Sequence, residues 1–568
     1  MHARGHHEWD AATPAAVANR AGFQVSDLQG ALLPFSRSNA VQADLVICRP
    51  ELASRVLVLP GQRGGAPRRI GRKHMALAGD DGATASRPAV VETHLSVLFF
   101  VGDRVYKLHK PVRFDFADFR EREAREADSR REVALNRRLA ADVYLGVADV
   151  SFLGEVVDHL VVMRRLPADD QLAALVRRGA DVGPCLEQIA RVLVDFHRVA
   201  ARAPAIDEAA RAPAVLAAWE ANFAVTAPFV GPVIDVAADA LVQHRVRRFL
   251  AGRHPLFDHR IAQSQVCDGH GDLQAEDIFC LPDGPRILDC IAFDERLRYG
   301  DVAADLAFLL MDLRRIGAPE AAVALQVGYE ALSGRMLPPA LLSHYIAHRA
   351  YVRCKVTCLR WAQGDPDAAE RAQLLHRLAL DHLEESRVRL ILVGGLPGTG
   401  KSTLATGLAA RVGGDVLHSD EVRKQQAGMS SDMTVPSRYR AGLYAPSATN
   451  ATYRTLLDRA QVALSLGRTV VLDASWTSQA WRGVARQIAA ETRSDLVELR
   501  CTVDRATAAA RMAQRRPGGA HGSDATAEIA LAMASDADPW PSAVVIETGG
   551  TPAASLRHAV QVVLDPTG

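Results

Sequence analysis

The stretch GGLPGTGKST, residues 394–403, decides the fold of the second half of the chain. It follows the apolar run RLILV and precedes a segment of helix-forming composition, and it contains the spacing G-x(4)-G-K-[ST]. Gly395, Gly398 and Gly400 let the backbone bend tightly, so that its N–H groups can point at phosphate oxygens. The following helix adds its positive N-terminal end. The stretch therefore predicts a strand, a phosphate-binding loop and a helix.

The side chains of this loop indicate ATP and Mg²⁺ as cofactors. Lys401 can supply positive charge to the outer phosphates, and the Ser402 hydroxyl is suited to bind magnesium. The predicted nucleotide-binding residues are Gly395, Leu396, Pro397, Gly398, Thr399, Gly400, Lys401, Ser402 and Thr403. The alternative is a glycine-rich turn with a chance lysine, which the strand before it and the helix after it disfavour.

Two aspartates follow later strands of this half. In LHSDEVRK, Asp420 is placed to accept a proton from a substrate hydroxyl, and Arg423 to hold an anionic group. In TVVLDAS, Asp473 ends a strand and is suited to a water-mediated magnesium contact or to substrate binding. The alternatives are a helix N-cap for Asp420 and a plain strand-end cap for Asp473.

Arginines mark a late helix of the same half. In TAAARMAQRRPGG, Arg511 and Arg515 are placed as part of a lid over the phosphates, although a solvated basic face would give the same pattern. The alternation of helices and strands predicts a parallel sheet with crossover helices. On these motifs, residues 387–568 resemble the P-loop kinase group that includes gluconate-type and zeta-toxin-like kinases, an AAA-type fold.

A second acidic signature lies upstream. GHGDLQAEDIF at 269–279 and RILDCIAFD at 286–294 resemble the catalytic and metal loops of aminoglycoside phosphotransferases and their choline- and homoserine-kinase-like relatives. The resemblance implies a protein-kinase-like fold in which Asp272 orients or deprotonates the substrate hydroxyl and Asp277 and Asp289 bind magnesium. It assigns His270 a supporting role through hydrogen bonds. A solvated acidic loop is the alternative.

Asp277 stands where that family usually carries asparagine. A carboxylate can still bind a hard cation, but it adds negative charge beside Asp272 and Asp289. The same resemblance places the phosphate-holding lysine in DRVYKLHKPV, as Lys107 or alternatively Lys110. Glu132, in the following helix RREVALNRRL, is suited to pair with this lysine, although it could also be a surface glutamate.

Length and composition set the domain plan. With 568 residues, the chain is too long for one core. We expect a poorly ordered extension over 1–85, with Met75 as an alternative start, then an α+β protein-kinase-like domain over 86–384. An α/β P-loop NTPase domain with a parallel sheet follows over 387–568.

Charge and cysteine usage restrict the partners and the compartment. Lysine plus arginine (67) nearly balances aspartate plus glutamate (66), which is not typical of a dedicated nucleic-acid binder. The cysteines form no CxxC pair, and we expect Cys267, Cys280 and Cys290 to be small buried thiols. Such thiols suit a reducing compartment, and no apolar run is long enough for a membrane helix. We therefore expect a cytoplasmic protein with neither nucleic-acid nor membrane partners.

The two signatures together resemble a bacterial family described as bifunctional aminoglycoside phosphotransferase/ATP-binding proteins. This implies an ATP-dependent phosphotransferase with two nucleotide sites that acts on a small hydroxylated substrate. One alternative is a nucleotide-sensing regulator whose kinase-like half binds ATP without transfer, which Asp277 favours. Another is a nucleic-acid end kinase with a basic groove beside Asp420, formed by Arg423, Lys424, Arg438 and Arg440. The sequence predicts neither the acceptor nor the oligomeric state.

Overall fold

The computed structural model describes residues 89–93, 95–114, 117–152, 155–430, 440–514 and 527–564, together with four short strands in the first 50 residues. These strands are β1 (His6–His7), β2 (Gln24–Ser26), β3 (Val41–Gln42) and β4 (Val46–Cys48). They pair antiparallel, β1 with β3 and β2 with β4. The rest of the predicted extension over 1–85, Met75 included, lies outside the described residues.

The chain divides into two compact units. The first comprises Met1–Ala200, Asp268–Arg298 and Asp312–Ser333, and the second comprises Ala201–Cys267, Tyr299–Met311 and Gly334–Gly568. The first unit therefore contains Lys107 and both acidic loops, and the second contains the phosphate loop. The domain limits given by the sequence stay predictions.

A five-stranded antiparallel sheet dominates the first unit. Its strands are β5 (Ala89–Glu92), β6 (Ser96–Val101), β7 (Arg104–His109), β10 (Tyr144–Phe152) and β11 (Glu155–Arg164), in the order β10-β11-β7-β6-β5. Two short strands, β8 (Arg113–Phe114) and β9 (Ala117–Asp118), precede helix α1 (Arg122–Ala140). The sheet holds together with α1 because both bury apolar side chains in one core, which includes Val105, Val133 and Val161.

The remaining elements of the first unit include the hairpin that separates the two acidic loops along the chain. They are α2 (Leu172–Arg177), α3 (Gly183–Val199), β13 (Ile278–Leu281), β14 (Gly284–Ile287) and α9 (Pro319–Ser333). β13 and β14 form an antiparallel hairpin between the loop with Asp272 and the loop with Asp289. Cys185 on α3 is disulfide-bonded to Cys280 on β13. The prediction that Cys280 is a thiol is therefore wrong, whereas Cys267 and Cys290 are buried thiols, as predicted.

Helices form most of the remaining chain before the phosphate loop. They are α4 (Pro204–Ala209), α5 (Ala212–Thr226), α6 (Val236–Ala251), α7 (His254–Ala262), α8 (Val302–Arg315), α10 (Pro339–Ala362) and α11 (Ala368–Glu385), with the short strands β12 (Val266–Asp268) and β15 (Tyr299–Asp301). No helix in the described part of the chain has the length and apolar character needed to cross a lipid bilayer.

The second unit contains the predicted parallel sheet. Its strands are β16 (Arg389–Gly394), β17 (Asp415–His418), β18 (Val470–Asp473), β19 (Asp495–Thr502) and β20 (Val544–Glu547), in the order β17-β18-β16-β19-β20, and every neighbouring pair is parallel. The helices are α12 (Lys401–Val412), α13 (Ser419–Gln426), α14 (Pro446–Ser465), α15 (Gln479–Glu491), α16 (Arg505–Ala513), α17 (Ala527–Ser535) and α18 (Pro552–Leu564). All residues of the central strand β16 are buried, which explains its continuous apolar run.

Within the second unit, the loop between α15 and β19 packs against the end of α6. Arg253 is 1% exposed and donates hydrogen bonds to the Thr492 carbonyl and, at 3.2 Å, to Ser494 Oγ. Arg248 forms an ion pair with Asp495 at 3.0 Å. Burying a guanidinium without hydrogen-bond partners costs free energy, so these contacts favour the packing of the α15–β19 loop against the end of α6.

Gly252 lies at the centre of this junction and has no room for a side chain. A Cβ there would collide with the Thr492 carbonyl oxygen and lie 2.9 Å from the Arg493 Cβ. We expect Gly252→Ala to lower the free energy of unfolding by about 1–3 kcal/mol, because the backbone would have to shift. Thermal unfolding measures this effect.

Gly483 in α15 provides the matched control, since no atom lies within 4 Å of a Cβ built there. Gly483→Ala should leave the protein equally stable or stabilise it by up to about 1 kcal/mol, because alanine favours a helix interior. Equal melting temperatures for Gly252→Ala and Gly483→Ala would mean that the junction is not close-packed.

Candidate active sites

The phosphate loop connects β16 to α12 in the second unit. Gly398 and Gly400 adopt positive φ angles of 87° and 81°, which residues with a side chain rarely adopt. A Cβ at Gly398 would also lie 2.7 Å from the Ala508 carbonyl oxygen. The loop bends as the spacing predicts, and α12 begins at Lys401 with its N-terminal end at the bend. Such an end favours bound anions.

Two threonines fix the shape of the loop. Thr399 Oγ1 donates to the Leu396 carbonyl at 2.8 Å, and Thr548 Oγ1 donates to the Thr399 carbonyl at 2.6 Å. Thr548 comes directly after β20 and was not predicted as part of the site. Thr403 is exposed on the first turn of α12.

Lys401 and Asp473 lie together at the base of this loop. Lys401 is 9% exposed and Asp473 is 4% exposed. Burial alone would raise the pKa of Asp473, but Lys401, His418 and Ser402 together hold it below its usual value. His418 Nδ1 lies 2.8 Å from Asp473 Oδ2. The aspartate is therefore ionised and can attract a cation.

The residues at this position fit a magnesium ion. Asp473 Oδ1 is buried and has no hydrogen-bond partner among the described residues, an arrangement that a bound cation or its water shell would satisfy. Ser402 interacts with the same carboxylate. A hydroxyl and a carboxylate are the oxygen ligands that magnesium takes in P-loop proteins. His418, which sequence reasoning missed, adds a second positive partner to Asp473 when it is protonated.

Asp420 and Arg423 form the other side of this site. Both lie on α13, directly after β17, and they form an ion pair with each other. The Arg423 guanidinium lies 4.7 Å from the centre of the Tyr444 ring, and its buried Nε has no hydrogen-bond partner within the described part of the chain. Arg423 therefore retains a donor for an anionic group.

Two aromatic side chains, Tyr453 and Trp481, pack together near this ion pair. Tyr453 is buried, and its ring stacks on Trp481 at 5.4 Å. Burial raises the pKa of its hydroxyl, and the charges of Arg423 and Asp420 contribute smaller effects of opposite sign. Its hydroxyl accepts a hydrogen bond from the Trp476 backbone N–H at 3.1 Å. These aromatic side chains were not predicted, because single aromatic residues on helices look like core residues in a sequence.

Arg511 lies beside the phosphate loop, as its predicted role requires. It donates to the Thr548 carbonyl at 2.7 Å, and its Nη1 is 3.6 Å from the position that a Cβ at Gly400 would take. Arg515, the other predicted lid residue, lies outside the described residues.

In the first unit, Lys107 bridges two carboxylates. Its Nζ lies 2.9 Å from Glu132 Oε1 and 3.0 Å from Asp289 Oδ1. Burial would lower the pKa of Lys107, but the Asp289 and Glu132 carboxylates outweigh burial and raise it well above its usual value. Lys110, the alternative lysine, instead contacts Glu92 at 2.5 Å and the Thr93 carbonyl at 2.7 Å. The structure thus brings Lys107, Glu132 and Asp289 together.

Several carboxylates converge on the loop after β12. Burial and then the charges of Asp289 and Asp272 raise the pKa of Asp277 well above its usual value. Asp312, which was not predicted, contributes to the same shift and accepts a hydrogen bond from the Ala275 backbone N–H at 3.0 Å. Carboxylates that repel one another in this way fit a divalent cation, because the cation would remove the repulsion. Asp277 and Asp289 are the residues that the sequence predicts to hold it.

His270 supports this loop from behind. It is fully buried, its Nε2 is 3.0 Å from the Leu288 carbonyl, and its Nδ1 is 3.3 Å from the Asp272 backbone nitrogen. The imidazole thereby connects the loop with Asp272 to the strand end before Asp289. Asp272 is partly exposed, and its Oδ2 accepts a hydrogen bond from Gln274 at 2.9 Å.

Comparisons with known proteins match a family domain to each of the two regions that contain these residues. A model of the phosphotransferase enzyme family matches residues 101–339, and a model of an AAA domain matches residues 390–540. Among solved structures, a choline/ethanolamine kinase family protein from Mesorhizobium loti is 15% identical, with a TM-score of 0.34 over 52% of this chain and 92% of its own. A gluconokinase from Sinorhizobium meliloti is 15% identical, with a TM-score of 0.23 over 31% of this chain and 89% of its own.

Sequence relatives cover much more of the chain. An uncharacterized protein of Mycobacterium tuberculosis strain H37Rv and one of Mycobacterium bovis are each 40% identical over 474 residues, which is 83% of this chain and 95% of the relative. At this identity and coverage the chain belongs to the family of these mycobacterial proteins, and it joins a kinase-like phosphotransferase-family domain to an AAA-type P-loop domain.

Proposed function

We propose that the protein is an ATP-dependent phosphotransferase with two nucleotide sites, which transfers the γ-phosphoryl group of ATP to hydroxyl groups of small molecules. One observation carries the proposal: each unit holds a largely buried lysine beside an aspartate suited to bind magnesium. Lys107 contacts Asp289 at 3.0 Å, and Lys401 lowers the pKa of Asp473. A lysine and a metal-binding carboxylate are shared by kinases of both classes.

At the phosphate loop, the chain supplies binding, charge and a base. The backbone N–H groups of the bend and Lys401 hold the phosphates, and Arg511 lies where it can reach them. Magnesium bound by Ser402 and Asp473 would neutralise phosphate charge during transfer. Asp420 accepts the proton of the attacking hydroxyl. Arg423 is paired with Asp420. It binds an anionic part of the acceptor, either after this ion pair breaks or while the pair persists.

In the first unit, Lys107 holds the nucleotide phosphates, and Glu132 fixes the position of the lysine. Asp277 and Asp289 hold the metal ion. Asp272 orients the acceptor hydroxyl and takes its proton, while Gln274 and His270 keep Asp272 in place. This arrangement suits in-line transfer, in which the protein acts mainly by positioning the reactants and by stabilising charge.

One alternative has a specific observation in its favour. Without a bound metal ion, the raised pKa of Asp277 means that its carboxylate binds a proton more readily than an ordinary aspartate does. A kinase-like half that binds nucleotide without useful transfer would act as a nucleotide-sensing regulator. The end-kinase alternative has less support. Of the basic residues predicted to form its groove, Arg423 and Lys424 are buried, Arg440 is exposed but lies 3.7 Å from the Asp536 carboxylate, and Arg438 lies outside the described residues.

The test is a screen of hydroxylated metabolites with the full-length chain, Mg²⁺ and ATP labelled at the γ-phosphate. The proposal predicts a labelled small-molecule product that is lost in the double variant Asp272→Asn and Asp420→Asn. Two outcomes would contradict it. One is ATP binding without transfer to any acceptor, which would favour the regulator, and the other is transfer that survives in the double variant.

A further inference from the structure

Asp289 has a backbone conformation that is costly for a residue with a side chain. Its φ angle is +63°, in the left-handed region. This region costs an L-residue free energy relative to the right-handed one, so the surrounding structure must hold Asp289 there. The direction of its carboxylate depends on this conformation, and the proposed function assigns that carboxylate to the metal ion and to Lys107.

Two buried side chains bind the consecutive backbone N–H groups at this position. The Asp289 N–H donates to the Tyr144 hydroxyl at 3.3 Å, and the Cys290 N–H donates to Asn136 Oδ1 at 2.9 Å. Tyr144 is 2% exposed and Asn136 is 1% exposed. Because a buried N–H without a partner is costly, both contacts favour the observed bend over other conformations.

The orientation of each partner is itself fixed. Asn136 Nδ2 donates to the Glu132 carbonyl at 3.0 Å, so its Oδ1 points toward Cys290. Tyr144 is 2% exposed and packs in the core that the sheet forms with α1, which holds its ring in place.

Helix α1, which carries Asn136, also contacts the other acidic loop. Arg138 donates to the Asp268 and Gly269 carbonyls at 3.1 Å and 3.0 Å, directly before the segment with His270 and Asp272. Glu132, which binds Lys107, lies one helical turn before Asn136. α1 therefore carries the partner of Lys107 and contacts the segments that lead to the predicted catalytic aspartate and the predicted metal-binding aspartate.

We propose that Asn136 and Tyr144 are positioning residues of the first site, which hold Asp289 in its left-handed conformation and thereby aim its carboxylate at the metal position. Arg138 performs the same task for the segment before Asp272. The inference rests on the proposed function for the identity of the metal-binding residues. The backbone contacts themselves do not depend on that function.

The test uses Tyr144→Phe in the full-length chain, because this change removes only a hydroxyl. Tyr351→Phe is the matched control: Tyr351 is also buried, and its hydroxyl bonds Thr226 and Asp239 at 2.8 Å in the second unit. Two quantities are measured without any acceptor. They are hydrogen exchange of the peptide over residues 287–292 and Mn²⁺ affinity by electron paramagnetic resonance, in an Asp473→Ala background that removes the predicted metal-binding carboxylate of the phosphate-loop site.

Tyr144→Phe should speed exchange in that peptide by about tenfold, because the Asp289 N–H loses its partner. It should also weaken Mn²⁺ binding by about 10-fold or more, the usual effect of removing a group that orients a metal ligand. Asn136→Ala should act in the same direction, and Tyr351→Phe should change neither quantity.

Unchanged exchange over residues 287–292 in both Tyr144→Phe and Asn136→Ala would overturn the positioning role. So would faster exchange with unchanged Mn²⁺ affinity, because the contacts would then serve stability alone. If the Asp473→Ala parent binds no Mn²⁺, the proposed function of this site fails instead. The exchange measurement still decides whether the two residues hold the loop.

Discussion

Lys401→Ala is expected to weaken binding of magnesium and an ATP analogue at the phosphate loop by about 10²-fold or more, since truncating one partner of a buried charge pair costs about 2–5 kcal/mol. Lys401 is 9% exposed and holds down the pKa of Asp473. Its loss would leave the phosphates without their main positive charge. Asp473 would then have His418 as its remaining charged partner. Isothermal calorimetry with the full-length chain measures the affinity.

Arg411 provides the control for this variant. It lies on the same helix, at the opposite end, and is exposed. Arg411→Ala removes the same charge from the second unit and should change the affinity by less than about twofold, because exposed charges interact weakly with distant groups. Equal losses in both variants would mean that general charge rather than the loop attracts the nucleotide.

Asp272→Asn is expected to lower phosphoryl transfer by the first unit by about 10²- to 10⁴-fold, the usual contribution of a general base. Asparagine keeps the shape of the side chain and can still accept the hydrogen bond from Gln274, so the loop should remain in place. Nucleotide affinity should therefore stay nearly unchanged. Transfer and binding are measured in the Lys401→Ala background, so that the other site contributes little.

The matched control is Asp283→Asn. Asp283 is an exposed aspartate between β13 and β14 that pairs with Arg286 at 2.7 Å. This variant should transfer at the rate of its parent. An Asp272→Asn variant that loses nucleotide binding together with transfer would show a structural rather than a catalytic role for Asp272.

Local signals in the sequence predicted much of both sites. The phosphate loop depends on glycines, a lysine and a helix end within ten residues, so its spacing alone indicates its conformation. Lys107 and Glu132 were paired because a strand and the next helix carry them, and the two side chains are 2.9 Å apart. Their role in nucleotide binding stays a prediction, as does that of the other site residues.

Contacts between distant segments escaped the sequence analysis. Asn136 meets Cys290 across 154 positions, and Cys185 is bonded to Cys280 across 95. An asparagine within a helix and a scattered cysteine carry no local pattern that names their partners. Only the topology of the first unit brings them together, because it folds the hairpin of β13 and β14 back toward α1 and α3.

The division into two units also depends on contacts between segments that are distant in the sequence. The sequence predicts a short join near residues 384–388, with a family-like segment on each side of it. The contacts of Arg253 with Thr492 and Ser494 instead tie helices that precede the join to the parallel sheet that follows it. These contacts span 239 positions and more, and they depend on an arginine that resembles any surface residue in the sequence.

We propose that one chain carries two separate magnesium–nucleotide sites, and titration of the full-length chain with a non-hydrolysable ATP analogue and Mg²⁺ counts them. We expect two bound nucleotides per chain, one lost in Lys401→Ala and the other in Lys107→Ala. A single bound nucleotide that disappears in Lys401→Ala and is unaffected by Lys107→Ala would contradict it.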